Sequence, residues 1–184
     1  KVEPTTSDAI KQNLNGIRKI SKERILTELF KILELKNFIN LNKSDYLKEI
    51  FALIFPELEN IKRLDRLSKV CDNSQIKKEL LLAVLLIDER KSHEYFGHKY
   101  NISNEIKEYL NLLAKNFEFQ KKNRNFFTKD LEKNIYLFSK NHLVTLNILN
   151  FVIDTKIKLE DFYQNLNRIL KSKTQRFTID GRYL

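Results

Sequence analysis

Three histidines and one cysteine are the side chains of this sequence best suited to metal binding or nucleophilic chemistry. His93, His98 and His142 are scattered, and none stands in an H-E-x-x-H, His-Asp or Cys/His pattern that holds a metal ion. We interpret each as a surface or helix-packing residue. Cys71 has no second cysteine to pair with, and no apolar stretch is long enough to cross a bilayer. We therefore expect a reducing, cytoplasmic setting and no membrane partner.

The acidic pair Asp88 and Glu89 follows a leucine-rich segment, where metal-dependent phosphohydrolases of the HD type carry a His-Asp dyad. Ile87 and Asp88 occupy that place here, so the first metal ligand is missing. The chain has no glycine-rich phosphate loop and no nucleophile elbow. Polymerase-type nucleotidyl transfer needs carboxylates presented by a sheet to hold two metal ions. The sequence predicts no catalytic residue and no metal ligand in this chain.

The elements that would position any site are predicted to be helices. With three glycines and two prolines among 184 residues, the composition is typical of closely spaced helices joined by polar corners. We expect an all-α fold, an irregular multi-helix array without a significant sheet. Ser21, Ser44, Ser103 and Thr128 are predicted N-caps. The predicted helices cover about 6–14, 22–33, 45–55, 58–70, 76–87, 95–100, 104–117, 129–138, 141–153 and 159–170, with a hinge at 121–125.

Positive charge is concentrated at the two ends of the chain. Residues 1–31 carry 7 basic and 4 acidic groups, residues 32–100 carry 12 and 11, and residues 101–184 carry 15 and 9. Such a distribution fits a surface that follows a phosphate backbone, because each Lys or Arg that neutralises a phosphate releases a counterion. The alternative interpretation is a set of solvated helix faces.

Three segments carry a resemblance to a known family. Residues 20–33, ISKERILTELFKIL, are similar to the neck I-S-x-E-R-I-x-x-E-L-x-K-I-L of bacterial class II tRNA nucleotidyltransferases (CCA-adding enzymes) and the related poly(A) polymerases. Residues 102–105, ISNE, resemble part of the family's body. Residues 177–184, FTIDGRYL, resemble its F-x-I-x-G-x-D-L segment, although Arg182-Tyr183 replace a residue followed by Asp.

This resemblance implies neck-like helices in residues 1–40, a helical body in 41–120 and C-terminal helices in 121–184 that lead toward a missing tail. In the family, a separate catalytic head holds Mg²⁺ and CTP or ATP, and this chain contains none of its motifs. The chain alone is then expected to be inactive and to bind the acceptor and TΨC arms of tRNA through backbone contacts. Its further partner would be a separate or fused catalytic head.

The resemblance also implies roles for particular residues. Ser21, Glu23, Arg24 and Glu28 form the structural neck motif, in which we expect Ser21 to cap the helix and Arg24 to pair locally with a carboxylate such as Glu28. The alternatives to an RNA-binding function are a helical protein-interaction scaffold and a degenerate HD-type phosphohydrolase. The residues expected to contact RNA phosphates, or else to be solvated, are Arg18, Lys19, Lys22, Lys171, Lys173 and Arg176.

Overall fold

The computed structural model describes residues 9, 12, 13, 16, 17, 19–72 and 76–172, and across these ranges the regular structure is helical, without a strand. The predicted all-α fold is confirmed. The chain divides into two compact units, residues 1–116 and 117–184. The three-part division into neck, body and C-terminal helices stays a prediction.

The described helices follow one another with short connections. The α-helices are α1 (Lys22–Leu33), α2 (Asp45–Ile54), α3 (Leu64–Leu67), α4 (Lys78–Leu86), α5 (Ser92–Lys99), α6 (Asn104–Lys122), α7 (Leu131–Phe138), α8 (Lys140–Ile153) and α9 (Leu159–Lys171), and two 3₁₀ helices cover Phe38–Lys43 and Ile61–Arg63. Before α1, Ala9, Gln12, Asn13, Gly16 and Ile17 are also helical.

The core of the first unit is α4. Every residue from Leu81 to Ile87 is buried, as a helix that is apolar on all sides requires. The last carbonyl groups of this helix are satisfied from a neighbouring segment. The Arg63 guanidinium donates to the carbonyls of Val84 and Ile87, both at 2.8 Å, and the Asn60 amide donates to Leu85 at 2.9 Å. Side chains thus replace the hydrogen bonds that a helix end lacks.

The single helix predicted for residues 58–70 is wrong. The chain forms the 3₁₀ helix Ile61–Arg63 and then the one-turn helix α3. Leu58, Ile61, Leu64 and Leu67 are all buried at a spacing of three. That spacing fits the 3.0 residues per turn of a 3₁₀ helix, in which residues three apart lie directly above one another, better than the 3.6 of an α-helix.

The core of the second unit is α8, which is buried from Leu146 to Val152. Helix α9 packs on it through the rings of Phe151 and Phe162, whose centroids are 5.4 Å apart. The buried Asn147 amide donates to the Phe162 carbonyl at 3.0 Å, so a polar side chain sets the position of α9 along α8.

Two predictions at the start of the second unit are wrong. Helix α6 continues through Lys122, so part of the predicted hinge is helical. Thr128 is not an N-cap, because its hydroxyl donates to the Asn125 carbonyl at 3.2 Å and α7 begins only at Leu131. The turn between these helices is held by the Asn123 amide, which donates to Asp130 at 2.9 Å.

Candidate nucleic-acid interface

Helix α1 begins with the cap that the sequence predicts. The Ser21 hydroxyl accepts a hydrogen bond from the Arg24 amide at 3.3 Å, while the Ser21 backbone is extended. Glu23 lies in the first turn, where a carboxylate interacts favourably with the positive end of the helix dipole. A turn closed by the Lys19 amide on the Gly16 carbonyl, at 3.1 Å, precedes the cap. The Ser21 cap and the preceding turn therefore hold the start of α1.

The other end of α1 is held against the core of the first unit. Leu29 and Leu33 are buried. Glu34, which follows the helix, forms an ion pair of 2.8 Å with Lys78 of α4, and the Lys78 ammonium also lies 5.3 Å from the centre of the Phe30 ring. The hydrogen bond to Glu34 raises the pKa of Lys78. The exposed face of α1 is thus presented on a firmly packed helix.

Three cations lie at the exposed start of α1. Lys19, Lys22 and Arg24 are all exposed. Cations at a helix N-terminus oppose the helix dipole by about 0.3–1 kcal/mol each, and Glu23 is the one acidic residue of the first turn to offset them. An anion bound at this place would be stabilised both by the free amide groups of the helix start and by the cations. The geometry suits a phosphate group.

Among the described residues, Glu28 does not form the ion pair with Arg24 that it was expected to offer. Glu28 instead pairs with Lys31, one turn further along α1, at 2.9 Å. Both of these side chains are more than half exposed, so the pair adds little stability. The pair matters more for the distribution of charge. Because Glu28 compensates Lys31 and not Arg24, the start of α1 keeps its positive charge.

In the near-neutral middle of the sequence, several basic residues form ion pairs within the first unit. Glu57 and Lys99 form a close pair in which the Glu57 side chain is only 6% exposed. Burial opposes the charge of Lys99, but its contacts with Glu57 and Tyr100 outweigh this effect and raise its pKa. Further pairs are Lys48 with Asp45, Arg90 with Glu59, and Lys91 with Glu94. In the described ranges no carboxylate pairs in this way with Lys19 or Lys22.

The second unit carries its own basic group at the end of α9. Lys171 is exposed on the last turn. The Lys140 ammonium, from the start of α8, donates to the Leu170 carbonyl at 3.2 Å and so stands beside Lys171. Lys140 is not among the residues that the sequence predicts to contact RNA, because only the packing of α8 on α9 brings it to this place. The predicted contacts Arg18, Lys173 and Arg176 lie outside the described residues, as does the segment 177–184.

Asp88 has a structural role at the start of α5. Its carboxylate accepts hydrogen bonds from the Ser92 hydroxyl at 2.7 Å and from the amides of Ser92 and Arg90, both at 3.0 Å. Burial works against the charge, yet these hydrogen bonds outweigh it and lower the pKa of Asp88. Over the described part of the chain, no three His, Cys, Asp or Glu side chains form a cluster that could hold a metal ion.

The three histidines differ in exposure. His93 is buried, His98 is exposed and His142 is half-buried against the Phe138 ring, with the two ring centroids 5.9 Å apart. Burial lowers the pKa of His142. None of the helices in the described residues is long and apolar enough to cross a membrane.

A comparison with known proteins concerns the segment that contains the basic start of α1. Residues 1–62 match a protein family described as the probable RNA- and SrmB-binding site of polymerase A. This part of the chain is similar to that RNA-binding site of polymerase A. The match contains α1, the Phe38–Lys43 helix and α2, and hence the exposed cations at the start of α1. No curated protein and no solved structure shows a significant match to the chain.

Proposed function

We propose that this chain is the RNA-binding helical portion of a tRNA nucleotidyltransferase that adds or repairs the 3′ CCA end, and that it acts with a catalytic head outside this chain. The observation that carries the proposal is the exposed, basic start of α1 inside the segment related to the RNA-binding site of polymerase A. We propose a cytoplasmic location as part of the same function.

The proposed contacts are to the backbone and shape of the tRNA acceptor and TΨC arms. An enzyme that serves every tRNA cannot depend on base sequence, and helical RNA offers its phosphates and 2′-hydroxyl groups rather than its base edges. Lys19, Lys22 and Arg24 would contact phosphates at one place and Lys171 at another. Lys140 joins Lys171 in this role because it stands beside it at the end of α9.

The binding of three RNAs to the chain tests this proposal. We expect an RNA minihelix made of the acceptor and TΨC arms to bind about as tightly as whole tRNA, and an anticodon stem-loop of similar length to bind less tightly. Because the contacts are ionic, the logarithm of the association constant should fall linearly with the logarithm of salt concentration. Equal affinity for the two arms would contradict the tRNA assignment, and no detectable RNA binding at low salt would contradict RNA binding altogether.

A protein partner is the second candidate function. The family that matches residues 1–62 is described as binding SrmB as well as RNA. Within the matched segment Leu35, Leu47 and Leu53 are 61%, 43% and 52% exposed, which gives this part of the chain apolar surface for such a contact. Under this scaffold hypothesis RNA affinity would be weak and would differ little between the two arms. The degenerate phosphohydrolase is not favoured, since hydrogen bonds within the chain already occupy Asp88.

A further inference from the structure

The first unit contains a cleft that the proposed RNA contacts do not use. It lies between α5 and α6 and has a volume of about 240 Å³. This is slightly less than the 300–1,000 Å³ of typical drug-sized ligand sites, so it can hold a small molecule or one part of a nucleotide. Its lining residues are His93, Glu94, Gly97 and His98 of α5 and Lys107 and Asn111 of α6.

Gly97 faces Lys107 and Ile102 at this cleft. A Cβ atom at this position would lie 3.5 Å from Cγ of Lys107 and 3.7 Å from Cδ1 of Ile102. These are ordinary van der Waals distances, so the aliphatic stem of Lys107 lies beside the glycine without crowding. Lys107 is half-buried and lines the cleft.

The charges and donors around the cleft favour an anion. Its one carboxylate, Glu94, pairs with Lys91 at 3.2 Å and so does not compensate Lys107. Within the described ranges no carboxylate forms an ion pair with Lys107. The remaining polar groups are two imidazoles and the Asn111 amide, all of which can donate hydrogen bonds. An ammonium group with several such donors is a set that suits phosphate oxygens.

We propose that this cleft binds the phosphate group of a phosphate ester, supplied either by a free nucleotide or by one nucleotide of an RNA strand. The Lys107 ammonium provides the charge, and His98 and Asn111 provide hydrogen bonds. The cleft is formed by different residues from the basic start of α1, so the proposal holds whether or not that surface binds tRNA.

The small number of histidines provides a direct assay. The chain has three, of which His93 and His98 line the cleft and His142 belongs to the second unit. The imidazole C–H signals of the whole chain can be followed by NMR while inorganic phosphate, AMP or adenosine is added at constant pH and ionic strength. We expect phosphate and AMP to shift the His93 and His98 signals saturably, with a dissociation constant on the order of 1 mM for AMP. His142 should not move, and adenosine should have no effect.

Substitutions at Lys107 complete the test. Lys107→Gln should weaken AMP binding by about tenfold or more, because it removes a charge-assisted hydrogen bond. Lys107→Arg should keep the binding, and Lys115→Gln, an exposed lysine on the same helix, is the matched control with unchanged affinity. Unchanged imidazole signals of the free variants would show that the fold is intact. The proposal is overturned if His93 and His98 do not respond, if adenosine acts like AMP, if His142 moves in parallel, or if Lys107→Gln binds AMP as tightly as the parent chain.

The source of the phosphate is decided by comparing AMP with a short RNA oligonucleotide in the same assay. Tighter binding of AMP, with its terminal phosphate, supports a free nucleotide as the ligand. Tighter binding of the oligonucleotide, lost in Lys107→Gln but kept in a chain altered at Lys19 and Lys22, supports an RNA strand bound in the cleft.

Discussion

Removal of the two lysines that flank Ser21 should change RNA binding and stability in opposite directions. In the double variant Lys19→Gln/Lys22→Gln two of the three exposed cations at the start of α1 are lost, while the Ser21 cap and the buried Leu29 and Leu33 are untouched. If each lysine contacts one phosphate, the slope of log association constant against log salt should become less steep by about two.

The affinity change can be estimated from the same relation. With a duplex slope of about 0.9 for each phosphate, one contact contributes roughly eightfold at 0.1 M salt, and two contribute about 60-fold, equivalent to about 2.4 kcal/mol. The stability should not fall with the affinity. Lys22 is the first residue of α1, and removal of its charge relieves repulsion by the helix dipole of about 0.3–1 kcal/mol.

The assay is tRNA binding at several salt concentrations, with the free energy of unfolding measured in urea. The control variant Lys69→Gln/Lys115→Gln removes the same net charge from two exposed lysines elsewhere in the first unit. Because exposed charges are screened beyond about 10 Å at 0.1 M salt, this variant should change the slope little. An equal loss of slope in both variants would refute phosphate contact at α1 and leave only a diffuse attraction. A large loss of stability in the Lys19/Lys22 variant would refute the argument from the helix dipole.

Three further predictions concern the fold. Ser21→Ala should lower the free energy of unfolding by about 1 kcal/mol, and Ser21→Asn should restore most of it, since both Ser and Asn cap helices well; equal stability of all three chains would mean that the cap is not used. Glu57→Gln should cost about 1–3 kcal/mol because it removes a buried carboxylate from a pair whose Lys99 partner is 28% exposed, whereas Glu59→Gln breaks an exposed pair and should cost less than about 1 kcal/mol; equal costs in urea unfolding would disprove this difference. Burial raises the pKa of Cys71 to about 11 from an ordinary 9.0, so at pH 8 about 100 times less thiolate is present in the folded than in the unfolded chain, and the folded thiol should react with a disulfide reagent at least about tenfold more slowly. The folded rate should rise with pH up to about 11, and a plateau near pH 9 would contradict the burial argument.

The helices that the sequence predicts well are those whose ends are determined locally. Ser21 and Ser44 accept hydrogen bonds from amides three residues ahead, and both caps are confirmed. The buried helices α4 and α8 are also found where continuous apolar residues predict them. In these cases the cap residue or the run of apolar residues lies within the segment itself, so the sequence of that segment is enough to predict the helix.

The failures are at places where distant contacts decide. The segment that contains Ile61 and Arg63 becomes a 3₁₀ helix, and from it Arg63 reaches the end of α4, a contact across more than 20 residues. Thr128 precedes α7 but its hydroxyl is used inside the turn, and Lys140 joins Lys171 only because α8 packs on α9. No pattern within one helix contains this information.

The distribution of charge can be counted from the sequence, whereas the ion pairs depend on the fold. Counting residues along the chain predicts a neutral middle between basic ends, but it does not tell which cations remain available to a partner. The structure adds that Lys99, Lys78 and Arg90 are paired with carboxylates of the first unit. A lysine or arginine that is already paired with a carboxylate contributes little to counterion release from RNA. An exposed lysine whose charge is unfavourable for its own helix can contribute. RNA binding is therefore expected to depend on the two lysines around Ser21 more than on the total charge of the chain.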